Sequence, residues 1–230
     1  MGTRSTEHHE NLLAEVMRER RRLNRRGLLT GVGKVAGGGA LLLALGSASR
    51  RSAGAQDASP ETGAAPFASD VEVLNYALTL EHLEFAYYRD GVGLFDFGTD
   101  GFNQSINANL AAIRDHEGAH VSTLTDVITS LGGAPVAEAV YDFGDAYTNI
   151  DAFLATAAAL ENTGVSAYDG AAQFISDPGL LTAAGSIVAI EARHASYLNL
   201  IVSETPFPDA FETPLTPDEV LAIAGPFIAS

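Results

Sequence analysis

From residue 70 onward, apolar residues recur at steps of three and four, the spacing of helices that bury one face. Asp70 is placed to cap a first helix running to about Asp90, where Gly91-Val92-Gly93 stops it. A second runs from about Ser105 to Leu131, ahead of Gly132-Gly133-Ala134-Pro135. The third begins near Asp151 and ends at Asp177-Pro178-Gly179, and the fourth covers about Leu180 to Val202. Thr216-Pro217-Asp218-Glu219 reads as a capping box opening a short C-terminal helix. No segment alternates as a strand does. The pattern predicts an all-α antiparallel four-helix bundle over residues 70–203, with a tail over 204–230. The third connection is expected to be very short and the second long enough to cross the length of the bundle.

Charge divides the chain differently. Residues 1–56 carry a net +6 and residues 57–230 a net −22, within a total of −16. A body this acidic repels phosphate backbones and anionic membranes, which excludes nucleic-acid binding. There is no cysteine, so disulfides, thiolate metal sites and cysteine nucleophiles are excluded, as is a lipoprotein anchor. The basic run RERRRLNRR ends in Arg25-Arg26, and a glycine-rich, weakly apolar segment and Ala53-Gly54-Ala55 follow. That order reads as a twin-arginine-type signal peptide over 1–55, cleaved after Ala55, with a linker over 56–69. The expected location is outside the cytoplasm, in the envelope or beyond it, with no membrane span in the mature chain. The route carries folded proteins, which suits a cofactor loaded before export.

Each of the four helices has a glutamate in the middle of its apolar stripe: Glu81, Glu117, Glu161 and Glu191. His120 and His194 follow the second and fourth of these at i+3, on the same faces. The segments EGAHVSTL and EARHASYL share E-x-x-H-x-S-x-L, while Glu81 and Glu161 each have a tyrosine seven residues on, Tyr88 and Tyr168. The chain therefore reads as two copies of one helical hairpin. Four buried carboxylates without partners would cost several kcal/mol each or take up protons. Two divalent cations offset four negative charges, and oxygen and imidazole donors suit iron or manganese, with zinc also compatible. Tyr88 and Tyr168 are placed to hydrogen-bond the carboxylates.

The ligand order Glu, Glu-x-x-His, Glu, Glu-x-x-His resembles that of ferritin-like dimetal-carboxylate proteins such as bacterioferritin and rubrerythrin. The apolar tail FETPLTPDEVLAIAGPFI is similar to that of exported ferritin-like proteins related to plant desiccation-associated proteins. The resemblance implies that Glu81, Glu117, His120, Glu161, Glu191 and His194 bind two metal ions. It implies that Glu117 and Glu161, or their counterparts in the repeat, bridge them. Glu84 lies one turn beyond Glu81 and is either an extra ligand or a helix-edge charge. The spacing to Tyr88 favours Glu81 as the ligand.

The string HEGAH also matches the H-E-x-x-H pattern of zinc proteases, with Glu138 as a conceivable third ligand. That reading leaves Glu81, Glu161 and the second Glu-x-x-His without a role. The second repeat also has Ile190 where the first has His116. His116 and His82, each next to a ligand in sequence, are expected at the surface or between helices. The expected activity is an oxidase, peroxidase or catalase-like reaction on O₂ or peroxide, with any reductant supplied from outside the chain. The alternative is a non-catalytic metal-binding or structural stress protein of the envelope.

Overall fold

The structure, a computed structural model, describes residues 66–229. The leader with Arg25, Arg26 and Ala55, and most of the expected linker, lie outside the described residues. Five α-helices follow in order: α1 (Asp70–Gly91), α2 (Ile106–Ser130), α3 (Ile150–Ala172), α4 (Pro178–Ile201) and α5 (Pro217–Ala224). Among the described residues there is no strand, only isolated bridges at Thr99–Ser105 and Tyr141–Ile228.

Each helix starts on a side chain that accepts from its first turn. Ser69 accepts from Glu72 N–H, Ser105 from Ala108, Asn149 from Ala152, and Asp177 from Gly179 and Leu180. The capping box at Thr216 and Glu219 closes in both directions. Two expectations shift here. Ser69, not Asp70, caps α1, and Asp70 instead accepts from the backbone N–H of Ser176 and Asp177 at 2.7 and 3.0 Å. The third connection is longer than expected, residues 173–177, because α3 stops at Ala172 and its exit is held by Asp70 before Asp177 restarts the chain at Pro178.

One end of the bundle gathers the start of α1, the end of α2, the end of α3 and the start of α4, around Leu74, Leu78, Leu124, Ile128, Tyr168 and Ile187. Hence α2 and α3 run the same way, and the crossover 131–149 returns along the bundle. The opposite end is aromatic, with Tyr87, Tyr88 and Phe153 fully buried beside Phe97 and Phe143. Tyr87 donates to the carbonyl of Phe153 at 2.8 Å, and Tyr147 to that of Tyr87 at 2.6 Å.

The tail lies across α3. Leu215 N–H donates to the Ser166 carbonyl at 3.1 Å, and Ser166 Oγ donates to Glu212 at 2.6 Å. Where the tail crosses, α3 has Gly170, and a Cβ there would overlap the Leu215 carbonyl. Backbone stands on both sides, so neither can give way cheaply. Gly170→Ala is expected to lower stability by about 1–3 kcal/mol, the usual cost of overpacking. Thermal melts, with limited proteolysis reporting release of the tail, check this.

Candidate metal centre

At mid-bundle, Glu81, Glu117, Glu161 and Glu191 are all 0 % exposed. Helical spacing brings His120 beside Glu117 and His194 beside Glu191, because i and i+3 share a face. His120 Nδ1 lies 3.1 Å from Glu81 Oε2, 3.2 Å from Glu117 Oε2 and 2.9 Å from Glu191 Oε1. His194 Nδ1 lies 3.0 Å from Glu117 Oε1, 3.2 Å from Glu161 Oε2 and 3.8 Å from Glu191 Oε2.

One imidazole N–H cannot satisfy three carboxylates. Glu117 Oε1 and both oxygens of Glu191 are buried with no hydrogen-bond partner, although each stands near an imidazole nitrogen. Their separation is that of a hydrogen bond or close to it, but their direction is not. Buried donor atoms brought this close, with part of their bonding capacity unused, could hold a cation. Among the described residues there are two such groups, each with its donor atoms within 4.8 Å of one another: Glu81, Glu117, His120 and Glu191, and Glu117, Glu161, Glu191 and His194. The residues common to both are Glu117 and Glu191, the glutamates of the two Glu-x-x-His motifs. Each turns one oxygen to the His120 side and the other to the His194 side. Glu161 belongs to one group only.

The tyrosines bind crosswise between the repeats. Tyr88 on α1 donates to Glu161 Oε1 on α3 at 2.7 Å, and Tyr168 on α3 donates to Glu81 Oε1 on α1. Each outer carboxylate thus has one oxygen held by a tyrosine and the other turned to an imidazole.

Burial, joined by repulsion from Glu191 and Glu117, pushes the Glu81 carboxyl well above its usual range despite the His120 hydrogen bond. Glu161 is pushed up by burial and by Glu117, against the pull of His194. For Glu117, burial acts upward but the His120 hydrogen bond and the adjacent His194 imidazole outweigh it and hold it at about 2. Burial alone would depress both imidazoles. The nearby carboxylates of Glu117, Glu191 and Glu81 push His120 up to about 12, and those of Glu117, Glu161 and Glu191 do the same for His194.

Glu84 is buried at the edge of this cluster, outside both groups. Its counterpart in the repeat is Gly164, and the missing side chain makes the room. A Cβ on Gly164 would stand 2.9 Å from Glu84 Oε1 and 3.7 Å from Glu191 Oε2. Burial first, then repulsion from Glu191 and Glu161, pushes Glu84 well above the usual carboxylate range. His82 is buried between α1 and the crossover, its Nε2 3.3 Å from the Val136 carbonyl oxygen. Glu138 pairs with Arg89 at 2.7 Å and takes no part in either group.

His116 is more than an exposed neighbour. Its Nδ1 lies 2.9 Å from His194 Nε2, with the rings within 8° of parallel. An Nε2–H on His194 donating to His116 leaves His194 Nδ1 free to face the carboxylates. Sequence reasoning missed this contact. The only signal was the break in the repeat, Ile190 in place of His116.

Four helices joined in this order, around a central cluster of glutamates and histidines, define the class of ferritin-like bundles that carry a metal site between their helices. Residues 69–204, more than half of the chain, match the family model of the ferritin-like domain, and the chain belongs to that family. A search of curated proteins finds no match.

Proposed function

We propose that this is an exported ferritin-like metalloprotein that holds two iron or manganese ions and acts on O₂ or peroxide in oxidative or desiccation stress. Zinc is the other ion its donors accept. The observation that carries this reading is the convergence of unpartnered carboxylate oxygens on the Nδ1 atoms of His120 and His194. Glu81, His120 and one oxygen each of Glu117 and Glu191 would hold one ion. Glu161, His194 and the remaining oxygens would hold the other. A pair of redox-active ions bound here would supply electrons to O₂ or peroxide. Tyr88 and Tyr168 keep Glu161 and Glu81 aimed inward, and burial keeps bulk water from the carboxylates. Export rests on the Arg25-Arg26 leader and the Ala55 site. No described helix is long and apolar enough to cross a membrane. The chain has no cysteine to carry electrons to the site, so a reductant comes from outside it.

Metal analysis of the natively purified protein, together with O₂ and peroxide consumption, tests the proposal. Two ions per chain with turnover is the expected result. Two ions without turnover selects the non-catalytic binding protein, and a metal-free protein after native purification overturns the metal reading. Glu81→Ala is expected to weaken one ion, whereas Glu84→Gln keeps both, as stoichiometric titration would show. His116→Ala is expected to lower the affinity of the ion on the His194 side about tenfold or more, the usual effect of removing a ligand's hydrogen-bond partner. Competition with a chromophoric chelator measures it, with the ion on the His120 side as internal control.

A further inference from the structure

One turn from the ligand layer, at the end of the bundle where α1 begins, all four helices line a cavity of about 30 Å³. Its position is tied to the site. Ala77 is one turn before Glu81, Leu124 one turn after His120, and Ile187 one turn before Glu191. Tyr168 forms part of the wall and uses its hydroxyl to hold Glu81. The cavity therefore adjoins the Glu81–His120 side.

Apart from Tyr76, Tyr168 and Thr123 the wall is aliphatic, where the opposite end of the bundle is packed with aromatic rings. Ala167 and Ala184 line this space, while Tyr87, Tyr88 and Phe153 fill the other end. A water molecule needs two to four polar partners to stay in such a space. The Tyr168 hydroxyl is already committed to Glu81, Thr123 stands at the exposed rim, and the one buried hydroxyl at the wall that lacks a partner is that of Tyr76. A single such group does not retain a water, and apolar cavities that stay dry take up small apolar molecules.

We infer that this cavity is a binding chamber for dioxygen, placed to serve the Glu81–His120 side of the centre. Peroxide is polar, with two O–H donors, and would leave its hydrogen bonds unmade there. Dioxygen has no hydrogen bonds to lose on leaving water, and it is small enough for a cavity of this size. The inference rests on the proposed reading of the centre and narrows its co-substrate from O₂ or peroxide to O₂.

Xenon tests the chamber without any metal. Metal-free crystals pressurised with xenon are expected to show it among Leu74, Leu124 and Ile187, and Ala184→Leu, filling a half-buried wall position, is expected to abolish that signal. No xenon in the wild-type chain overturns the proposal, as does an ordered water in its place or equal uptake by the variant. Should Ala184→Leu fail to fold, the wild-type measurement still decides. In the metal-loaded protein, Ala184→Leu is expected to raise KM for O₂; an unchanged KM for O₂, or turnover of peroxide without turnover of O₂, overturns the proposal. Xenon uptake with neither O₂ nor peroxide turnover would instead mark failure of the proposed reaction, with the chamber intact.

Discussion

Glu117→Ala and Glu191→Ala are each expected to empty the centre of both ions, the largest single-residue effect in the molecule. Each glutamate turns one oxygen toward His120 and the other toward His194. Removing either side chain takes a donor from both positions and would leave two neighbouring cations without a shared anion to offset their repulsion. Removing Glu161 takes a donor from one position only, so Glu161→Ala is expected to retain one ion. Metal per chain after native purification, measured for the three variants in parallel, checks this ordering. A protease built on His116, Glu117 and His120 would behave otherwise. It would keep its activity on loss of Glu191 and lose it on loss of His116. Equal metal loss from Glu117→Ala and Glu191→Ala, together with two ions per chain in the wild type, separates the two chemistries.

The second large effect is on the pH dependence of stability, which is expected to reverse when metal is removed. In the metal-free chain, Glu81, Glu84 and Glu161 hold their protons above the ordinary 4.5, chiefly through burial. His120 and His194 hold theirs up to about 12 against an ordinary 6.5, because their carboxylate partners outweigh burial. In the unfolded chain these groups lose protons near 4.5 and 6.5. Between pH 5 and pH 8 the folded state therefore binds more protons than the unfolded one, and stability falls as pH rises. The metal-free Tm is expected to be higher at pH 5 than at pH 8. Glu117, held at about 2, acts in the opposite sense only below its ordinary 4.5. With metal bound, the ligands must be deprotonated and acid competes with the ions. The loaded protein is then expected to be the less stable at pH 5. Melting curves of both forms across this range should cross; parallel curves would mean that the ions do not displace these protons.

Much of the fold was legible because helices obey local rules. The stripes through Leu110, Ile113 and Glu117 or Ile187, Glu191 and His194 follow from 3.6-residue periodicity, and caps such as Ser105, Asp177 and Thr216 act on neighbours within three residues. Asp70 shows where that reasoning ends. Its acidic side chain at a helix start looks like a cap, but its partners are Ser176 and Asp177, more than a hundred residues away. The segment that follows α3 runs through the same contact. Glu81 could be preferred over Glu84 as the candidate ligand from its spacing to Tyr88, yet that tyrosine turns to Glu161, and Tyr168 bonds Glu81.

What the sequence by itself determined is the donor inventory and its layering. Four glutamates and two histidines at matched heights on inward helix faces follow from spacing within each helix, because one turn repeats whatever surrounds it. What only the tertiary structure decided is which oxygen faces which nitrogen. Glu117 and Glu191 stand in both groups and Glu161 in one, His116 backs His194, and Glu84 lies in the space that Gly164 leaves. These depend on the relative rotation and separation of helices far apart in the chain, which shape and packing set and no local pattern encodes. The empty space beside Tyr168 is of the same kind, since a cavity belongs to four helices at once.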